Sequence, residues 1–314
     1  MKTILLFCLT FFLFSTTHAQ LLGGALKTIS EKVQGSPAKD LIKKQPITTN
    51  VKDVKMEGSL PESFGKDSVY KKLTLLERTL NGGFTLKEGF YEFHDQSYCL
   101  KAGTHGPSRG DGYMFAPPLG TKEELVIAIV RNSVSHPTIN QHNIQLLLWS
   151  IIARTKFQDL QNEIKLTATQ LLTPAQLLEL NGGVVGSIPN SLMEKGMEGL
   201  PSGVRSVLEA ENKLRGMLTD ANSSYADMER VAVLTGVAPI GEGSLEITPG
   251  KWSLHPDGYY IRYLPYSYTN TKIQIWVPRG AKCVGKEYDP AKHIAVPGNT
   301  SCQRLIQSGR EYGK

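Results

Sequence analysis

The spacing of apolar positions changes several times along the chain, and each change predicts a different element. Residues 68–80 place Val69, Leu73, Leu76 and Leu80 at near-helical intervals, and Asn81-Gly82-Gly83 stops them. Residues 84–100 are aromatic-rich and poor in helix formers, which predicts strand, with Cys99 at or near its end. Residues 103–120 carry repeated Gly and Pro and read as a loop. A helix is expected over 121–135, opened by a Thr121/Glu124 capping box, with Leu125, Ile129 and Val130 on one face. A second helix covers 141–156. Ile144, Leu147, Leu148, Ile151 and Ile152 form its stripe, and Leu146 and Trp149 carry the apolar surface around most of the cylinder, so it is buried. Further helices are expected over 173–181, 202–218 and 224–234.

Beyond residue 244 the period shortens to two. Residues 259–263 and 272–277 alternate, are rich in β-branched and aromatic side chains, and are followed by Pro265 and Pro278. The pattern therefore predicts an α+β chain: a mainly helical N-terminal domain with a short strand region, then a small disulfide-stapled β unit. The expected divisions are a signal peptide over 1–19, an N-terminal arm or linker over 20–66, the mixed domain over 67–240 and the β unit over 241–314. No internal repeat is evident.

Composition changes this picture little; charge and cysteine change it more. Lys2, the apolar run at 4–14 and Thr17-His18-Ala19 before Gln20 have the form of a secretory signal, so the product is expected to be secreted, periplasmic or at the cell surface. No later stretch is apolar and long enough for an integral membrane segment. The net charge of +6 is mild, and no dense basic cluster with aromatics points to nucleic acid. Of the four cysteines, Cys8 lies in the signal. Cys283 and Cys302 flank a short Gly/Pro-containing segment and are expected to pair, a closure worth roughly 3 kcal/mol. Cys99 is then left over in an oxidising compartment.

The candidate chemistry lies between residues 98 and 153. A primary amide offers two donors and two acceptor lone pairs, so burying Gln145 unpaired would cost roughly 1–3 kcal/mol. One solution is a bond to a neighbouring loop carbonyl. The other links Gln145 to Cys99. A thiolate can attack the side-chain carbonyl and expel ammonia, leaving a thioester that apolar and aromatic walls protect from water. Tyr98, Leu148 and Trp149 supply such walls, and a polar group holding the carbonyl oxygen would lower the barrier.

Tyr98-Cys99-Leu100 and Gln145-Leu146-Leu147-Leu148-Trp149 resemble the two signature motifs of bacterial thioester domains. These are adhesin modules in which an aromatic-Cys segment and a Gln-x-x-x-Trp-type segment are joined by an internal thioester. The resemblance implies Cys99 as thiol partner and Gln145 as acyl partner, with Tyr98, Trp149, His105 and His142 in support. It implies a partner that offers an amine or hydroxyl on a protein or glycan surface; no cofactor is expected, and no metal, since His136 and His142 share no helical face and no His-x-x-x-His pair exists. Docking would then become covalent adhesion.

Two other readings stand beside it. In a Cys–His hydrolase, His94, His105, His136 or His142 would activate Cys99 and Asp95 or Asp111 would orient the imidazole. In a non-catalytic exported structural or binding domain, Cys99 is simply a buried thiol. No phosphate loop, dinucleotide fingerprint or Gly-x-Ser-x-Gly elbow is present. Arg109-Gly110-Asp111 spells the integrin-binding tripeptide, a common chance occurrence, and is expected to be a turn with Asp111-Gly112 at its tip.

Overall fold

A computed structural model describes residues 45–108, 110–181 and 202–313. The expected signal peptide, the first part of the expected arm, and Arg109 lie outside the described residues.

In chain order the elements are β1 (Lys71–Lys72), β2 (Phe84–Thr85), β3 (Gly89–Cys99), β4 (Thr104–His105) and β5 (Tyr113–Ala116). A helical block follows: α1 (Glu123–Ser133), α2 (Gln141–Ile152), α3 (Asn162–Leu171), α4 (Pro174–Asn181), α5 (Ser202–Thr219) and α6 (Tyr225–Ala232). The chain then returns to strand with β6 (Val233–Leu234), β7 (Ser253–Leu254), β8 (Tyr260–Ser267), β9 (Asn270–Val277), β10 (Glu287–Tyr288), β11 (Ile294–Pro297) and β12 (Leu305–Glu311).

The principal sheet runs β5-β11-β12-β3-β9-β8-β7, and β1 lies parallel to the first half of β3. All other pairings in it are antiparallel. The sheet curls until its two ends nearly meet. There β5 lies against β7 and β8, and the Phe115 amide donates to Ser253 Oγ at 2.8 Å across the seam. The result is an eight-stranded, nearly closed barrel with the helical block against one side.

This corrects the expected fold class. There is no mainly helical N-terminal domain followed by a separate β unit. The strand that precedes the helices, β3, is central to the sheet, flanked by β9 and β12 from the far end of the chain. An eleven-residue strand exposes two long edges, and the later strands cover them. Hydrophobic period reveals each strand but not its partner, so the two stretches read as separate units.

The disulfide staple is corrected as well. Cys283 and Cys302 are both free and buried. Between them the chain pairs β10 with β2 and then crosses the barrel as β11 between β5 and β12. Cys302 Sγ points to Asp111 Oδ2 at 3.5 Å, while Cys283 sits in the turn after β9. Spacing in sequence carried no information about this separation.

Two local expectations also fail. Residues 68–80 form no α-helix: β1 and a single 3-10 turn at Leu73–Leu75 leave Val69 and Leu80 in solvent. Helix α1 begins at Glu123 without a side-chain cap, and the Glu123 carboxylate instead accepts from the Gly120 amide at 2.8 Å. Residues 45–66 lie against the body. The Thr48 amide donates to the Leu119 carbonyl, Leu60 pairs with Trp252, and Ile47 and Val51 are buried.

Helix α2 is the centre of the helical side. Asn140 caps it, its side chain accepting from the His142 amide at 2.8 Å. Every residue from Ile144 to Ile152 is buried, and the helix packs on α1, α3, α5 and the end of β3. Its apolar surface on nearly all sides, visible in the sequence, is explained by this position. Arg154 ends it at a φ of 57°, in the left-handed region.

Candidate functional site

Helix α2 crosses the end of β3 where that strand runs out of partners. The β9 ladder stops at Gln96–Asn270, yet Ser97 and Cys99 still present main-chain groups on that edge. Two glutamine amides on α2, one turn apart, cover them. Gln141 Nε2 donates to the carbonyls of Thr269 at 2.8 Å and Ser97 at 3.3 Å. One turn on, Gln145 bonds the main chain of Cys99 in both directions. Its Oε1 accepts from the Cys99 amide at 2.9 Å, and its Nε2 donates to the Cys99 carbonyl at 3.0 Å. One further turn along α2, the Trp149 indole Nε1 donates to Cys99 Sγ at 3.0 Å. The i, i+4 spacing of Gln141, Gln145 and Trp149 places all three on one line of the helix, along the strand edge.

The pair is dry. Cys99 and Trp149 are wholly buried and Gln145 is 1 % exposed. Burial pushes the Cys99 thiol up to about 12, against the opposing pull of the Trp149 N–H, so the resting sulfur is protonated. Aromatic rings cover it in layers. Tyr225, the first residue of α6, stacks on Trp149 with ring centroids 5.6 Å apart, and His142 stacks on Tyr225 at 3.9 Å and 11°. Beside them the Tyr225 and Tyr268 hydroxyls bond each other at 2.7 Å, and Tyr268 donates to Glu229. The carbonyl of Tyr268 accepts from Ser97 Oγ at 3.0 Å, which ties this turn to β3 two residues before the thiol. Just past the thiol, Gly103 turns at a φ of 67°. A Cβ there would come within 2.7 Å of Ala210 on α5, so the chain passes under that helix only as glycine.

The sequence candidates are distributed unevenly around this centre. Cys99, Gln145 and Trp149 meet. His142 belongs to the cover, stacked and exposed at its outer side. Tyr98 is buried but donates to Gln96 Oε1 at 3.3 Å and not to the thiol. His105 lies in β4, where its main chain pairs with Ser301 and Gln303 beside Cys302. His94 stacks on Tyr266, and His136 Nδ1 bonds the Asn132 carbonyl. Asp95 accepts four hydrogen bonds from Ser308 and Gly309 at the β3–β12 bulge, and Asp111 accepts from the Ser108 amide. Among the described residues no histidine nitrogen bonds Cys99, so the imidazole–thiol pair of a Cys–His hydrolase is not assembled. Nor do the described residues contain a cluster of three or more His, Cys, Asp or Glu placed for a metal. No helix among them is long and apolar enough to cross a membrane.

Sequence reasoning missed Gln141, Tyr225, Glu229 and Tyr268. Gln141 had a local signal, since it lies one turn before Gln145 on a helix already recognised. The other three come from 126 to 169 residues beyond Cys99 and had none.

Comparison with protein-family models, with curated proteins and with solved structures gives no match to this chain.

Proposed function

We propose that Cys99 and Gln145 form an internal thioester, and that the protein is an exported adhesion module that uses it to capture a partner covalently. The observation that carries this reading is the pair of hydrogen bonds between the Gln145 amide and the Cys99 main chain, with Cys99 Sγ held from the same helix by Trp149. Attack of the Cys99 sulfur on Gln145 Cδ turns Oε1 into an oxyanion, and the Cys99 amide already donates to that atom. One such donor is worth about 3 kcal/mol in comparable acyl transfers. The S–Cδ bond forms, the Cδ–Nε2 bond breaks, and the thiol hydrogen leaves with Nε2 as ammonia. Loss of the amide group removes its donor to the Cys99 carbonyl and leaves the acceptor in place.

The dry surroundings favour persistence of the bond, because a thioester is consumed by water. Its natural fate is then attack by an amine or hydroxyl on a protein or glycan surface. This yields an amide or ester to Gln145 and returns the Cys99 thiol. No cofactor is needed for either step.

The same hydrogen bonds support a second reading, in which Gln145 only completes the uncovered edge of β3 as Gln141 does. Proteolysis of the purified chain without reductant, followed by tandem mass spectrometry, separates the two. The thioester reading expects the Cys99 peptide joined to the Gln145 peptide. Separate peptides with an alkylatable Cys99 and an intact Gln145 amide leave only the structural role.

A further inference from the structure

Glu229, Tyr268 and Tyr225 form a hydrogen-bonded chain with a defined direction. Tyr268 spends its single hydroxyl proton on Glu229 Oε1. The 2.7 Å bond between the phenols must therefore be donated by Tyr225, whose own oxygen keeps lone pairs free to accept. Glu229 and Tyr225 stand four residues apart on α6 and share a face, and Tyr268 comes from the β8–β9 turn. At the other end of the chain, Tyr225 stacks on the indole that donates to Cys99 Sγ. Three elements thus bring a carboxylate, through two phenols, to the cover of the Cys99–Gln145 pair. Packing alone does not call for a buried phenol, Tyr268, bonded to the half-buried Tyr225 and ending on a carboxylate.

Chemistry at Cys99 needs such a chain. The sulfur is protonated at rest, and no histidine nitrogen among the described residues bonds it. An amine that attacks a thioester must shed a proton as the thiolate leaves, and in a dry site no water takes it.

We propose that Glu229–Tyr268–Tyr225 is the proton relay of this site; the inference rests on the thioester reading. During aminolysis the nitrogen of the incoming amine bonds Gln145 Cδ and the Cδ–Sγ bond breaks. The amine proton passes to the Tyr225 oxygen, the Tyr225 proton to Tyr268, and the Tyr268 proton to the Glu229 carboxylate. Return of a proton along the chain leaves Cys99 as the thiol and Glu229 as the carboxylate, so no proton is gained or lost. During bond formation the same chain takes the thiol proton and returns it to Nε2 as ammonia departs.

The test follows the rate at which methylamine consumes the thioester in the full chain, read by intact mass. Glu229→Gln keeps an acceptor for Tyr268 but cannot take a proton, Tyr268→Phe cuts the chain, and Glu229→Asp restores a base. The relay predicts that Glu229→Gln and Tyr268→Phe retain wild-type near-ultraviolet circular dichroism. They either lack the ammonia deficit or lose it to methylamine about a hundredfold more slowly, the lower end of general-base effects. Glu229→Asp recovers most of the rate. Wild-type rates in Glu229→Gln and Tyr268→Phe overturn the relay while leaving the thioester intact, and so does equal slowing in Glu229→Gln and Glu229→Asp. A wild-type chain without the ammonia deficit overturns both proposals.

Discussion

Gln145 and Cys99 bond each other twice, side-chain amide to main chain, at 2.9 and 3.0 Å. This is the geometry of a strand neighbour, supplied by one side chain of a helix. It holds the Gln145 amide against the main chain of the residue that carries the thiol, and gives both partners a reason to be buried.

Removing that side chain should therefore be costly whether or not a covalent bond forms. Gln145→Ala leaves the buried Cys99 N–H without a partner in either case, and the C=O as well where the amide is intact, each a loss of roughly 1–3 kcal/mol. Urea unfolding should show a destabilisation of about 2 kcal/mol or more. A change below about 0.5 kcal/mol, the range of ordinary surface substitutions, would mean that these bonds do not hold the helix on the strand.

Trp149→Phe keeps an aromatic ring beside Tyr225 and removes the indole donor to the sulfur. The N–H opposes the burial that raises the Cys99 thiol, so its loss raises the thiol further. The fraction of chain carrying the ammonia deficit should fall. An unchanged fraction would show that the indole only fills space.

The acid side of the stability curve should be set in part by two histidines at the barrel seam. His293 is buried, accepts from the Tyr259 hydroxyl at 2.6 Å and bonds the Asp289 carbonyl at 2.7 Å, and His255 stacks on it. Desolvation lowers His293 well below the ordinary imidazole value and holds His255 down to about 4, the latter against the pull of Asp257. In the unfolded chain both titrate at about 6.5. Between those values the unfolded state binds more protons at these two histidines, so the stability they contribute is full above about pH 6.5 and falls as the pH drops toward 4, while buried Asp95, raised to about 7, acts in the opposite direction. In urea midpoints measured across that window, His255→Phe should lose less stability toward acid than the wild type does. A wild-type-to-variant difference that stays constant with pH would contradict the assignment.

Cys283 and Cys302 should both alkylate in the unfolded, unreduced chain, because the fold holds them apart. Recovery of a disulfide-linked Cys283–Cys302 peptide would contradict the path of β10 and β11 between them.

What could be read in the sequence was what local pattern encodes. The buried character of α2, the end of β3 at Cys99 and the β8–β9 alternation were all visible, because period and turn residues report on single elements. The pairing of β3 with β9 and β12 was not, because a strand's partner leaves no mark on its own spacing. Residues 68–80 misled for a related reason: Lys71 and Lys72 pair with Tyr91 and Glu92, and this tertiary contact overrides a helical period. Within the site, Cys99, Gln145 and Trp149 could be singled out as side chains whose chemistry was unusual for their apolar settings. Tyr225, Glu229 and Tyr268 are ordinary residues locally and acquire meaning only when α6 and the β8–β9 turn meet over the thiol.

The most direct measurement is the intact mass of the purified chain before and after methylamine, with Cys99→Ala beside it. The account predicts a deficit of one ammonia in the wild type, filled by methylamine with release of a free Cys99 thiol, and no deficit in Cys99→Ala. A wild-type mass equal to that of the unmodified chain, unchanged by methylamine, would contradict it.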